Sequence, residues 1–439
     1  MASTEPQRTG PPGDGERTGP PDDGKTPARR AFAGVFRSLT VRNFRLFATG
    51  QIVSVAGTWM MVVAQDWLVL SLTGDSGTAL GLVTGLQFTP LLLLTLHAGG
   101  VADRYDKRLL LTAANLVSAV LAVLLAALVL TGRARLWQVC LFALGLGVVN
   151  AFEVPARMAF VSELVGARLL PNASALSAAY FNSARVVGPA SAGLLIHWFG
   201  TGWVMLLNAA SYLATVVALR MMRPGELHRA GRRPERALVR DGIRHLAARR
   251  DLVLPIVLVG VVGMLGFTFQ LTLPLLAKTV FHADAAAFGL LTAALAAGSL
   301  AAALATALRR GRPSFALVIT AAAAFGVLQT LVGLAATPTS AAVLLFFTGF
   351  ASVFFAQAAN HRIQLGTAPV YRGRVMAVYT LVFQGTTPLG SLLVGTLVGH
   401  LGARSGLLLG GIASLLAAVA AGWVDRRRAA DRTADRALT

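Results

Sequence analysis

Apolar runs of about 20 residues recur along nearly the whole chain, each long enough to cross the hydrocarbon core of a bilayer as a helix. In lipid every backbone polar group must be satisfied internally, so such runs fold as transmembrane helices. Barrel strands are shorter and alternate in polarity. The runs predict spans at roughly 44–73, 77–102, 109–130, 136–156, 173–199 and 203–222, then 252–277, 286–308, 314–336, 340–359, 374–399 and 405–424. A soluble domain carries about 25% charged residues; this chain carries 13%, against 55% hydrophobic. The reading is an all-α membrane protein of twelve transmembrane helices, six on each side of the polar stretch 223–250.

A formal net charge of +20 would suit a nucleic-acid binder, but the positions of the bases argue otherwise. Arg and Lys cluster at 29–45, 104–108, 223–250, 309–312, 362–374 and 426–436, always at alternate ends of the apolar runs. The other connections hold Arg133, Arg135, Lys278 and Arg404. This asymmetry is the positive-inside bias. It places both termini and the 223–250 linker in the cytoplasm, in a multi-pass protein of the plasma membrane. The basic loops lack the interleaved aromatics on which bases stack, so no nucleic-acid partner is expected.

Residues 1–38, rich in Pro, Gly, Asp and Arg, read as a disordered cytoplasmic tail without a signal peptide, and 426–439 as a second cytoplasmic tail. Between them, 39–222 and 251–425 form two six-helix bundles. In the linker, Leu238, Ile243 and Leu246 stand among arginines. That pattern fits either a basic amphipathic helix on the inner leaflet or a solvated connection. Cys140 is the only cysteine, and His97, His197, His361 and His400 have no ligand spacing, so no disulfide, metal or cofactor is expected. No phosphate-binding loop is present, which excludes direct ATP coupling by this chain.

The halves echo one another. "ALGLVTG" (79–85) recurs as "AFGLLTA" (287–293), and "ARVVGPASAGLL" (184–195) more loosely as "GTTPLGSLLVGTL" (385–397). Internal repeats of this kind belong to secondary transporters, whose two bundles rock around a site near the bilayer midplane.

Charge inside or beside the spans is then the place to look for chemistry. The stretch "GGVADRYDKR" (99–108) packs acids and bases between two apolar runs. Gly99 allows close helix approach, and Asp103 can accept from a neighbouring helix N-terminus. Arg104, Lys107 and Arg108 are expected at the lipid headgroups, the whole forming a latch between the bundles. Within the spans each charge costs about 2.5–3.5 kcal/mol or more and marks a candidate site. Asp66 lies in the outward half of the first span. Desolvation favours the neutral form of an acid, so Asp66 is the first proton-coupling candidate. Glu153, expected near the inner end of the fourth span, is the second, with Arg157 able to pair with it at i, i+4. Arg185 sits mid-span in the fifth and needs a partner: Glu153 first, an anionic substrate second. Trp59, Met60, Met61, Phe267, Phe269, Phe354 and Phe355 are available to line an apolar cavity, though core packing is the commoner use of each.

The pattern G-x-x-x-D-R-x-x-K-R between spans two and three resembles the signature loop of the major facilitator superfamily, with Asp106 where a second glycine is usual. In the second half "LRRGRPS" (308–314) keeps the bases without the acid, and Arg362, Arg372 and Arg374 stand in the next inner loop. "NAFEVPARMAFVSELV" (150–165), "LPNASALSAAYFNSARVVGPASAGLL" (170–195) and "RGRVMAVYTLVFQGTTPLGSLLVG" (372–395) are similar to the enterobactin-exporter-like branch of that superfamily. Gly188-Pro189, with Gly193 following, resembles the motif of its antiporters, where a helix bends between the halves. The resemblance implies two pseudo-symmetric bundles and alternating-access efflux of small amphipathic molecules (drugs, siderophores or secondary metabolites) by a monomer, with protons as the coupling ion. The alternatives are an uptake carrier or facilitator, or a lipid translocator. No nucleophile–base or metal constellation at membrane depth supports an enzyme.

Overall fold

The structure, a computed structural model, describes residues 36–228, 244, 246, 249–307, 309 and 311–438; at 95, 96, 99, 102, 103, 250, 307, 369, 370 and 428–438 it describes the backbone alone. The tail expected at 1–38, up to residue 35, and the linker positions Leu238 and Ile243 lie outside the described residues.

The first bundle holds α1 (Arg42–Leu72), α2 (Gly77–Arg104) and α3 (Lys107–Leu130). A continuous run, Leu136–Phe199, is divided by Gly166 (φ 70°, ψ 174°) into α4 (136–165) and α5 (167–199), and α6 is Thr201–Arg220. The second holds α7 (Asp251–Val280), α8 (Ala285–Ala307), α9 (Phe315–Leu334), α10 (Pro338–Gly366), α11 (Tyr371–Leu401) and α12 (Ala403–Leu438). Among the described residues eleven runs are long and apolar enough to span, and Leu136–Phe199 supplies two spans, which gives twelve.

Two expectations need correction. The connection expected between 156 and 173 is helix on both sides of a one-residue turn at Gly166. A left-handed conformation reverses the chain there, which glycine adopts without a Cβ clash. The first bundle begins before residue 39: a 3₁₀ turn at Arg37–Thr40 docks on α5, Ser38 N donating to Asn172 Oδ1 at 2.8 Å. Within the tail expected at 426–439, helix continues from α12 to Leu438.

Polar side chains cap the starts of α2 and α3. Ser76 Oγ accepts from Ala79 N at 3.2 Å, and the Asp106 carboxylate accepts from Arg108 N at 2.9 Å and Leu109 N at 3.2 Å. These satisfy donors that the first turn leaves free. α7 is irregular: π turns at Val262–Gly266 and Leu276–Val280 flank the short helix Phe269–Leu275, and Phe267 and Thr268 fall out of register. Gln329, buried in α9, donates to the freed carbonyl of Gly266 at 3.0 Å. Broken backbone at membrane depth persists only where protein satisfies it in this way.

The bundles meet along two seams, α2 on α11 and α5 on α8. At the first, a Cβ on Gly81 would lie 2.5 Å from the Ser391 carbonyl oxygen, and one on Gly395 2.9 Å from the Gly81 Cα. At the second, a Cβ on Gly289 would run into the Pro189 carbonyl, and one on Gly193 would lie 2.6 Å from the Ala285 carbonyl. Gly81 and Gly289 hold the same place in the sequence repeat, as do Gly395 and Gly193. The two seams are therefore one contact made twice. Both lie away from the arginine-rich end of the molecule, called here the basic end; the other is the far end. There Lys278 Nζ meets Asp75 Oδ1 at 2.6 Å and His197 Nδ1 meets Asp284 Oδ2 at 2.9 Å, each joining one half to the other. Lys278 also covers the Trp67 ring at 5.4 Å, and Trp67 stacks on Phe288 with centroids 6.2 Å apart.

At the basic end Lys107 and Arg108 do not reach for lipid headgroups as expected. Lys107 Nζ pairs with Glu163 Oε1 of α4 at 2.7 Å, while Arg108 Nε and Nη2 donate to the carbonyls of Leu219 and Arg220, at 2.7 and 3.1 Å, closing the end of α6. Both tie the first bundle together. Removing one partner of such a mostly buried pair strands the other, so Glu163→Gln should cost about 1–3 kcal/mol, between the exposed and fully buried cases. A lower thermal midpoint in detergent, recovered in Lys107→Met/Glu163→Met, is the expected result.

Candidate functional site

A cavity of about 630 Å³ lies between the bundles, beneath the far-end contacts. That is within the range of pockets for drug-sized ligands. α1 presents Trp59, Val62 and Asp66 to it, spaced i, i+3 and i+7 along one helix face. Asp66 is 1% exposed, and neither carboxylate oxygen has a hydrogen-bond partner among the described residues. Six residues separate it from Leu72, about 9 Å along the helix. Its neighbour Gln65 turns away and donates to Gln87 at 3.3 Å.

α4 presents Asn150, Glu153 and Arg157. The expected i, i+4 pair forms, Arg157 Nη1 to Glu153 Oε1 at 3.1 Å, with the guanidinium over Phe181 at 5.3 Å. Its expected depth is corrected. α4 continues to the turn at Gly166, so Glu153 stands 13 residues, about 20 Å, from the basic end, well inside a core about 30 Å thick. The pairing expected between Arg185 and Glu153 is not found. Arg185 instead lies over the Trp59 ring at 5.0 Å, and its Nε has no hydrogen-bond partner.

The Gly188-Pro189-Gly193 segment keeps helical φ/ψ through its proline. Its glycines serve close approach: Gly188 fits against the Ala56 carbonyl and Trp59 of α1, and Gly193 against α8. Gly99 and Asp103 fall in the closing turns of α2, and their surroundings lie outside the described residues. Arg104 beside them is exposed. In the second half Arg362 Nη1 donates to the Pro313 carbonyl at 3.0 Å, Arg372 Nε to that of Gln364 at 3.1 Å, and Arg374 covers Tyr371 at 5.8 Å, each within its own bundle. Of the side chains proposed for the cavity wall, Trp59, Phe267 and Phe269 line the space, whereas Met60, Met61 and Phe355 are core and Phe354 packs against it. Among the described residues no three His, Cys, Asp or Glu side chains gather as metal ligands.

Sequence reasoning missed the far-end contacts. Asp75 lies in the turn before α2 and Asp284 accepts from Ala287 N at 3.0 Å at the start of α8, and only the fold brings Lys278 and His197 to them.

Twelve spans in two repeated bundles around a charged central cavity are the build of a secondary transporter. Residues 33–437 match the family model of transmembrane secretion effectors, and the chain belongs to that family of the major facilitator superfamily, whose members are transporters and not enzymes. It is 27% identical over 407 residues to the multidrug efflux pump Tap of Mycolicibacterium fortuitum, covering 86% of this chain and 94% of that one. It is 24% identical over 270 residues to the staphyloferrin A transporter of Staphylococcus aureus, 59% of this chain and 66% of that one. The macrolide efflux protein A of Streptococcus pyogenes is 21% identical over 399 residues, with 89% and 97% covered. Among solved structures the fold is similar to the nucleoside transporter NupG (TM-score 0.69, 11% identity, 86% and 98% covered). It is also similar to a bacterial homologue of the human lysosomal transporter Spinster (TM-score 0.68, 15% identity, 89% and 97% covered).

Proposed function

We propose that the chain exports small amphipathic molecules across the plasma membrane by alternating access, exchanging them for protons. The observation that carries this reading is the unpartnered, fully buried Asp66 in a cavity roofed by the two glycine seams. An uncompensated carboxylate at membrane depth is costly, and a proton or a cationic group removes the cost. That gives one group two exclusive occupants, which is what an exchanger needs. The relatives named as efflux pumps support the direction.

The basic end faces the cytoplasm with both termini, following the charge bias. The roofed far end then faces outward, and the seams part when the bundles rock. Gly99, Asp103 and Arg104 form the latch on the inner side; Lys107 and Arg108 hold the first bundle rigid behind it. Both bundles and both seams come from one chain, so a monomer is a complete transport unit.

Two measurements test this. Cells overproducing the protein are screened against a panel of amphipathic antibiotics and siderophores. The compound best tolerated is then used, radiolabelled, in proteoliposomes with an imposed pH difference. Accumulation into an acidic lumen is expected; accumulation with the proton gradient reversed identifies an uptake carrier instead. For sidedness, single cysteines are placed in a Cys140→Ser background. Thr131→Cys, exposed at the far end, should react with an impermeant thiol reagent on intact cells, and Gly225→Cys, exposed at the basic end, should not. The opposite pattern would invert the topology.

A further inference from the structure

The polar atoms left without partners in the cavity describe its occupant. They are both oxygens of Asp66, Nε of Arg185 and Nε2 of Gln270. The other two charges, Glu153 and Arg157, satisfy each other at 3.1 Å. What remains is one acid and one base. Trp59 and Asp66 are seven residues apart on one helix face, a rise of about 10 Å. Arg185 lies on the Trp59 ring at 5.0 Å, so the α1 positions that carry the free anion and hold the free cation are about two helical turns apart. The walls around them are mostly apolar, with Val62, Phe88, Phe269 and Phe288, and carry neutral polar side chains such as Thr58, Gln87 and Thr292.

We infer that the substrate is a zwitterion: an ammonium and a carboxylate (or like anion) about 10 Å apart, at the ends of a flat apolar body. This rests on reading the cavity as the transport site. The ammonium meets Asp66; the anion meets Arg185 and the Gln270 amide from the second bundle. A ligand with one charge leaves the opposite group buried and unmatched, which costs affinity. A ligand with both leaves neither.

The test is equilibrium binding by calorimetry to the full chain in lipid nanodiscs. The probe is 4′-(aminomethyl)biphenyl-4-carboxylic acid, whose charges sit at the ends of a rigid biphenyl of matching length. Its methyl ester keeps only the cation, and its N-acetyl derivative only the anion. The zwitterion should bind about tenfold more tightly than either. In Asp66→Asn it should fall to the level of the N-acetyl compound, and in Arg185→Gln to that of the ester. Three probes of equal affinity on the unmodified protein, a preference for either singly charged form, or no binding of the zwitterion would overturn the inference. The tolerance screen is separate. Protection and pH-driven transport of a panel compound without zwitterion selectivity removes this inference and leaves the exporter standing, and the converse removes the exporter alone.

Discussion

Asp66→Asn is expected to abolish pH-driven accumulation while leaving substrate exchange in place at about tenfold weaker affinity. The amide has the volume of the acid and imitates its protonated form but cannot release a proton. A pH difference of one unit is worth about 1.36 kcal/mol per proton, or about tenfold accumulation for each proton exchanged. The substituted protein should lose all of that gain in proteoliposomes. Exchange of labelled for unlabelled substrate at equal pH needs no proton turnover and should continue once the substrate is raised about tenfold to offset the lost charge contact. The charge pair in the same cavity gives the contrast. Glu153 already has Arg157 at 3.1 Å, so Glu153→Gln strands a cation at membrane depth and should reduce both activities together. Undiminished pH-driven accumulation in Asp66→Asn would move the proton to Glu153.

The second large effect is expected at the seams. Gly289→Leu sets a side chain against the Pro189 carbonyl, and Gly81→Leu sets one against that of Ser391. Backbone cannot swing aside as a side chain does, so the two helices must separate. Overpacking costs about 1–3 kcal/mol, and each 1.4 kcal/mol shifts an equilibrium tenfold, so the sealed state loses up to about two decades of population. Each substitution should stop transport while leaving the protein in the membrane. The diagnostic is access: a cysteine at Thr292, in the cavity wall, should become reactive to an impermeant reagent from the far end in Gly289→Leu and stay protected in the parent. Gly373→Leu, where nothing lies within 4 Å, is the control and should be mild.

The spans and their division into two sixes were legible because a bilayer demands long apolar helices and leaves charge at their ends. The boundary between α4 and α5 was hidden because its turn is one glycine, with no polar loop to announce it. The Glu153–Arg157 pair could be read from spacing along one helix. Arg185 could not, since its ring partner Trp59 is 126 positions away and no local pattern joins them. For the same reason Lys107 and Arg108 looked like headgroup anchors. Their partners, Glu163 and the end of α6, reach the start of α3 only through the packing of the bundle. The repeat glycines were visible as a motif, but their meaning as opposing faces of the seams needed the fold.

The doubled seam bears on descent. A contact made twice about a twofold axis is self-complementary, so it asks for only one kind of half. Two copies of a six-helix ancestor, side by side, would have formed both crossings from a single set of glycines. Fusion of the copies then released each from matching the other. In the register that equates Gly81 with Gly289, Asp66 falls opposite Pro274, inside the broken stretch of α7. The register that equates Gly193 with Gly395 sets Arg185 opposite Thr387. At these equivalent positions the first half carries the two charges, and the second carries the broken helix and a neutral threonine.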